Sequence, residues 1–183
     1  MYNSNKHHRR SIRLQNWSYA NIGAYFVTIC CQNRKCIFGK IVDKKMILNE
    51  YGEITGNAWN KLPQHHTNIE LGAFIVMPNH IHGIITINTT NIAAVTNHDN
   101  NRNNRQLARY QNPGKNTLSS IVGSYKSTVS KQIHRIGFVG DIWQRNFYEH
   151  VIRNEIGYAK ITEYIRKNPV LWRHKGKAGL APT

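Results

Sequence analysis

The chain has 183 residues and sets 25 Lys and Arg against 9 Asp and Glu, a formal net charge of +16 at pH 7. Acids this scarce cannot balance the basic residues as ordinary solvated faces, so the composition points to a polyanionic partner, nucleic acid before membrane. Cys30, Cys31 and Cys36 are odd in number and lack a CxxC spacing, so neither a disulfide framework nor a thiolate zinc site is indicated, and a reducing, cytoplasmic setting is expected.

The length suits one domain with a core of its own. No run approaches the roughly 20 apolar residues of a membrane span, and the first residues lack an apolar signal segment, so no membrane is expected. Residues 1–22 read as a basic, irregular arm carrying Arg9, Arg10 and Arg13. Ala24 to Cys31, bounded by Gly23 and by Asn33-Arg34-Lys35, predicts a central strand. Ile41 to Leu48, broken at Asp43-Lys44, predicts a short ribbon. Leu48, Tyr51, Thr55, Ala58, Trp59 and Leu62 then fall at helical spacing, a pattern expected to end at Pro63.

The stretch Phe74 to Ile87 reads as two β-branched strands joined at Pro78-Asn79, a pair that favours a turn. Side chains alternate along a strand, so His80 and His82 share one face while Ile81, Ile85 and Ile87 take the other. Such a pair can grip one metal ion, or can be two solvated histidines on a half-exposed strand. An Asn-rich stretch follows, about residues 89–115, without periodicity, and reads as a flexible insertion. Leu118, Ile121, Val122, Tyr125, Val129 and Ile133 make a helical stripe that leaves Lys126 and Lys131 elsewhere on the helix, with Gly137 and Gly140 ending it. Ile142 to Ile152 suits a strand or extended segment. Asn154 is a candidate N-cap for a last helix expected to stop at Pro169, followed by a basic tail over 173–183.

In that last helix Tyr158, Ile161 and Ile165 form the expected packing stripe. Tyr164 is placed off it, one turn before Asn168 and near Lys160 and Lys167, where a polar role competes with packing. The whole order, strand, helix, strand hairpin, helix, strand, helix, predicts a ferredoxin-like, split βαβ α+β fold: an antiparallel sheet with helices on one face. Candidate nucleic-acid contacts are Arg9, Arg10, Arg13, Arg34, Lys126, Lys131, Arg145, Lys160, Arg166 and Lys167.

The blocks Gly23 to Ile29, Met77 to His82, Ile142 to Asn154 and Glu163 to Pro169 resemble the REP-associated tyrosine transposases, single-tyrosine HUH endonucleases related to the transposases of insertion sequences that move as single strands. The resemblance covers roughly residues 9–172 and implies an HUH transposase domain over 23–172. It implies that His80 and His82 are the HUH pair, that Tyr164 is the nucleophile and that Asn168 is a third metal ligand. The implied cofactor is a divalent ion, Mg²⁺ or Mn²⁺. The implied partner is single-stranded DNA with a hairpin, cut through a 5′-phosphotyrosine by a monomer or homodimer. The residues suit that chemistry, because two imidazoles and an amide oxygen leave coordination positions open for phosphate and water. Two rival readings are a non-catalytic nucleic-acid-binding module that stacks bases on Tyr25, Phe26, Trp143, Phe147 and Tyr148, and a degenerate transposase copy that only binds hairpins.

Overall fold

The computed structural model describes residues 22–88 and 117–172. The expected arm up to residue 21, with Arg9, Arg10 and Arg13, the insertion over 89–115 and the tail over 173–183 lie outside the described residues. In chain order the elements are β1 (Gly23–Cys30), a 3₁₀ turn (Gln32–Arg34), β2 (Gly39–Val42), β3 (Lys45–Leu48), α1 (Glu50–Asn60), α2 (Leu62–His65), β4 (Ile69–Met77), β5 (His80–Ile87), α3 (Leu118–Arg135), β6 (Tyr148–Ile152) and α4 (Glu155–Leu171).

Four strands form an antiparallel sheet in the order β4-β5-β1-β6. Strand β5 thus lies between β1 and β4, the strands that α1 connects, which is the split βαβ arrangement predicted from the element order. The ribbon β2–β3 is a separate pair, turned at Asp43 and Lys44, whose φ values of 48° and 61° suit a tight hairpin turn. A second two-residue turn, Pro78-Asn79, joins β4 to β5, with Met77 opposite His80.

The prediction of helices on one face needs correction. Tyr25, Val27, Ile29, Ile81, Ile85 and Ile87 pack beneath Trp59 of α1 and beneath the α3 residues Leu118, Ile121, Val122, Tyr125, Val129 and Ile133. On the opposite face Phe26, Ile84 and Ile152 pack against Ile161 and Ile165 of α4. The reason lies in β1 itself: Ala24 to Cys31 is a nearly continuous apolar run, the pattern of a strand buried on both faces, so a second cover is required.

The three longer helices, α1, α3 and α4, each start on a side-chain cap: Asn49 Oδ1 accepts from Gly52 N–H at 3.0 Å, Thr117 Oγ1 from Ser120 N–H at 3.2 Å, and Asn154 Oδ1 from Gly157 N–H at 2.8 Å. Two prolines act otherwise than expected. Pro63 sits in the first turn of α2, where its missing N–H costs nothing, so it opens a helix after α1 has ended at Asn60. Pro169 lies inside α4, which continues to Leu171; so close to the C-terminus the proline removes one intrahelical bond and little else.

One close approach fixes the sheet beneath the histidines. A Cβ on Gly83 would lie 2.3 Å from Cζ2 of Trp59, so only glycine lets this indole rest on the β5 backbone, where it stacks on Phe74 with centroids 4.5 Å apart.

Candidate active site

Register places the site. β5 pairs with β1 so that Cys30 faces His80 and Thr28 faces His82, and both histidines project to the α4 side of the sheet. They are 1% and 0% exposed, which rules out two solvated histidines.

Each imidazole is held from behind through Nδ1. His80 Nδ1 lies 2.7 Å from Asn79 Oδ1, and the orientation of that carboxamide is set by its other end, where Nδ2 donates to the Arg34 carbonyl at 3.1 Å. An amide oxygen only accepts, so the proton of neutral His80 is on Nδ1 and its Nε2 is bare. His82 Nδ1 lies 2.8 Å from Thr28 Oγ1, a hydroxyl able to donate or to accept. Phe26 stacks on the His82 ring at 5.2 Å and Trp172 on the His80 ring at 5.8 Å, walling the pair in.

The two Nε2 atoms face each other at 3.1 Å. Two neutral imidazoles reach that distance when one donates to the other or when both turn lone pairs to one cation. Burial, helped by the Arg34 charge, pushes His80 down to about 4, and burial followed by the His80 charge holds His82 well below the usual imidazole value. At neutral pH both are therefore uncharged, as metal ligation requires.

From α4, Tyr164 brings its Oη to 3.5 Å from His82 Nε2, and the Asn168 carboxamide lies within hydrogen-bond reach of both His80 and Tyr164. Cis ligands at about 2.0–2.1 Å from one ion stand about 3 Å apart, so the 3.1 Å pair fits a divalent ion. Among the described residues no cluster of three or more His, Cys, Asp or Glu is placed to hold one, and the Asn168 carboxamide beside His80 could offer an oxygen as a further donor.

Tyr164 corrects the expectation that it stands off the packing stripe. The buried residues of α4 are Ile161, Ile165 and Asn168, and Tyr164 flanks them half-buried, its ring edge-on to Phe26 at 6.0 Å. Burial raises its phenol above the ordinary value and the Asn168 hydrogen bond opposes the rise. Lys160 and Lys167 are exposed, and the contact that favours the phenolate is the Asn168 hydrogen bond.

The candidate DNA contacts separate. Lys160, Arg166 and Lys167 are exposed on α4, on the histidine side of the sheet, with Lys167 in a solvent-screened pair with Glu163. Lys131 is exposed on α3, across the sheet, and Arg145 is exposed ahead of β6. Lys126 is not free to meet DNA: its ammonium donates to the carbonyls of Gln144 and Arg145, at 2.5 and 3.0 Å, and burial lowers its pKa. Tyr25 is fully buried and Trp143 8% exposed, so neither is a platform for bases.

Sequence reasoning missed Thr28, Trp172 and the role of Asn79. Only Asn79 had a visible signal, standing next to His80. Thr28 depends on a strand register that no local pattern carries.

No protein-family model matches the chain. It is 42% identical over 174 residues to an uncharacterized protein of Haemophilus influenzae, with 93% of each covered. Over 150 residues it is 28% identical to a second H. influenzae protein, described provisionally as a REP-associated tyrosine transposase, covering 81% of this chain and 70% of that one. Among solved structures it shares its fold with a REP-associated tyrosine transposase bound to a REP hairpin, with a TM-score of 0.59, 22% identity and coverage of 89% of this chain and 74% of that one. Likeness of sequence to the second protein and likeness of fold to the solved structure lead to one group, and the chain is similar to the REP-associated tyrosine transposases in both.

Proposed function

We propose that the protein is a metal-dependent single-stranded DNA endonuclease and strand transferase, a transposase that cuts beside hairpins of the REP type through a 5′-phosphotyrosine. The observation that carries this reading is the convergence, from two distant elements, of a tyrosine hydroxyl at 3.5 Å from a buried pair of neutral imidazole nitrogens.

Nε2 of His80, Nε2 of His82 and the Asn168 oxygen would hold Mg²⁺ or Mn²⁺. When bound, the ion supplies charge neutralisation at the non-bridging oxygens of a phosphodiester. Asn79 and Thr28 keep the two imidazoles presenting Nε2. Tyr164 attacks phosphorus: its Oη forms a new P–O bond, the P–O3′ bond breaks, the phenol gives up its proton and the 3′ oxygen gains one. A phenol with an ordinary pKa near 10 is a weak nucleophile at neutral pH, and burial makes it weaker. The amide of Asn168 acts against that burden by donating to the phenolic oxygen as charge develops there. Residue for residue the tyrosyl ester retains one phosphodiester, so a 3′-OH can later reseal it without a nucleotide.

The test is a hairpin oligonucleotide with a single-stranded flank, incubated with Mn²⁺. An adduct that survives denaturant, linked to the 5′ end of the downstream fragment, is expected from the wild type. Chelator, a fully duplexed substrate and Tyr164→Phe should each abolish it. Cleavage by Tyr164→Phe, or a linkage to the 3′ end, removes this mechanism.

A further inference from the structure

Just beyond β1 the chain does something costly. Asn33 and Arg34 are consecutive residues in the left-handed backbone region, with φ of 52° and 53°. Asparagine tolerates that region; arginine gains nothing from it, and strain of this kind persists only where the surroundings impose it. They do so here. The Arg34 N–H donates to the Cys31 carbonyl at 3.0 Å, the Gln32 N–H to Ile142 at 2.7 Å, and Asn79 Nδ2 to the Arg34 carbonyl at 3.1 Å.

The side chain delivered by this strained turn is incompletely satisfied. Arg34 Nη1 is buried and has no hydrogen-bond partner among the described residues. A buried guanidinium N–H without an acceptor is expensive and calls for explanation. The position of the charge supplies one, since it is near enough to act electrostatically on His80 and on Cys30, which face each other across β1 and β5. Moreover one carboxamide, that of Asn79, holds the Arg34 carbonyl at one end and His80 Nδ1 at the other, so the arginine turn and the imidazole are positioned together.

What completes a guanidinium edge near the neutral His80 is an acceptor-only anion, and phosphate is the match in charge and in oxygen spacing. We propose that Arg34 binds a non-bridging oxygen of the scissile phosphate through Nη1 and stabilises the charge that develops there as Tyr164 attacks. The proposal rests on the function proposed above and sharpens it. Arg34 then differs in kind from Lys160, Arg166 and Lys167, whose exposed charges can add affinity along the backbone and no more. Bond-making is as already given, Oη–P formed and P–O3′ broken, and Arg34 keeps all its protons throughout.

Arg34→Gly is the informative variant, because glycine takes the left-handed backbone without strain and so preserves the turn while removing the guanidinium. Under single turnover with Mn²⁺ and a hairpin oligonucleotide, its nicking rate should fall by roughly 10²–10³-fold, with hairpin Kd and Mn²⁺ affinity little changed. Arg34→Lys should recover part of the rate. A phosphorothioate at the cleaved position adds an atomic readout: one diastereomer should slow the wild type far more than it slows Arg34→Gly, which no merely structural role would produce. Wild-type nicking by Arg34→Gly, a defect confined to Kd, or identical thio effects in both proteins overturns the assignment while leaving the endonuclease reading in place. No nicking by the wild type itself overturns both.

Discussion

Thr28→Val would remove one hydroxyl from the centre of the site and keep its shape. Thr28 is 5% exposed and His82 0%, so no water is at hand to replace the 2.8 Å contact between Oγ1 and Nδ1. The hydroxyl serves two states. Without an ion it can donate to Nδ1, and the His82 Nε2–H then donates to the bare Nε2 of His80 at 3.1 Å. Were His82 to ligate the proposed ion through Nε2, its proton would have to sit on Nδ1, and the same hydroxyl would turn to accept it. Valine does neither. A buried polar group left without a partner costs about 1–3 kcal/mol. The ion-bound state orphans a donor and loses the contact that aims the ring, so Mn²⁺ affinity should fall by roughly 10–100-fold. That range corresponds to about 1.4–2.7 kcal/mol, the size of one lost buried hydrogen bond, and the two estimates therefore agree. Titration calorimetry of Mn²⁺ into wild type, Thr28→Val and Thr28→Ser is the measurement, with thermal melting in chelator as control, where a drop of about 2–4 °C per kcal/mol is expected for a chain of this size. Serine keeps the hydroxyl and should bind nearly as the wild type does. Equal Mn²⁺ affinity in all three proteins would refute the tautomer argument, and so would a serine variant as weak as valine.

Gly83→Ala would drive a methyl to 2.3 Å from the Trp59 indole in a core that has no room to yield, so denaturant unfolding should show a loss of about 1–3 kcal/mol; an unchanged midpoint would mean that the indole moves freely. Lys126→Met would leave the carbonyls of Gln144 and Arg145 without their donor, and stability should fall by about 1–3 kcal/mol with little change in the salt dependence of DNA binding; a lower salt slope with intact stability would make Lys126 a phosphate contact after all. His80 titrates near 4 in the folded protein against 6.5 for a free imidazole, so the unfolded chain takes the proton first: stability of the ion-free protein is full above about pH 6.5 and falls by about 3 kcal/mol as the pH drops toward 4. Stability that stays flat over that window in chelator would place His80 in a wetter setting than the one described.

Much of this site is written in local sequence. The period of two along Phe74 to Ile87 puts both histidines on one face and the isoleucines on the other, and Pro78-Asn79 makes the turn, because both depend only on neighbours in the chain. Asn154 caps α4 for the same reason. What depends on distance is not legible. Thr28 meets His82 through a pairing register set by the whole β1–β5 ladder, with 54 residues between them. Lys126 has the look of any helical lysine until the segment ahead of β6 brings the Gln144 and Arg145 carbonyls to it. Tyr164 was misplaced for a more specific reason: the apolar pattern of α4 counts Tyr158, Ile161 and Ile165 and passes over Asn168, yet Asn168 is 8% exposed, and adding it rotates the buried face toward Tyr164.

The second cover on the sheet is what the proposed chemistry depends on. With helices on one face alone, His80 and His82 would look into water, each with a near-normal proton affinity and no tyrosine hydroxyl beside them. Packing α4 across Phe26, Ile84 and Ile152 buries them, keeps them neutral and sets Tyr164 and Asn168 above them in the same step. The fit of that helix is tight at its other end as well. A Cβ on Gly72, at the irregularity in β4, would lie 2.3 Å from Tyr158 Oη and 3.0 Å from Ile84 Cβ, so α4 approaches the sheet as closely as a missing side chain permits. Tyr158 and Tyr164 thus share one helix with divided tasks: the first seats it against bare backbone, and the second is carried by that seating to the histidines.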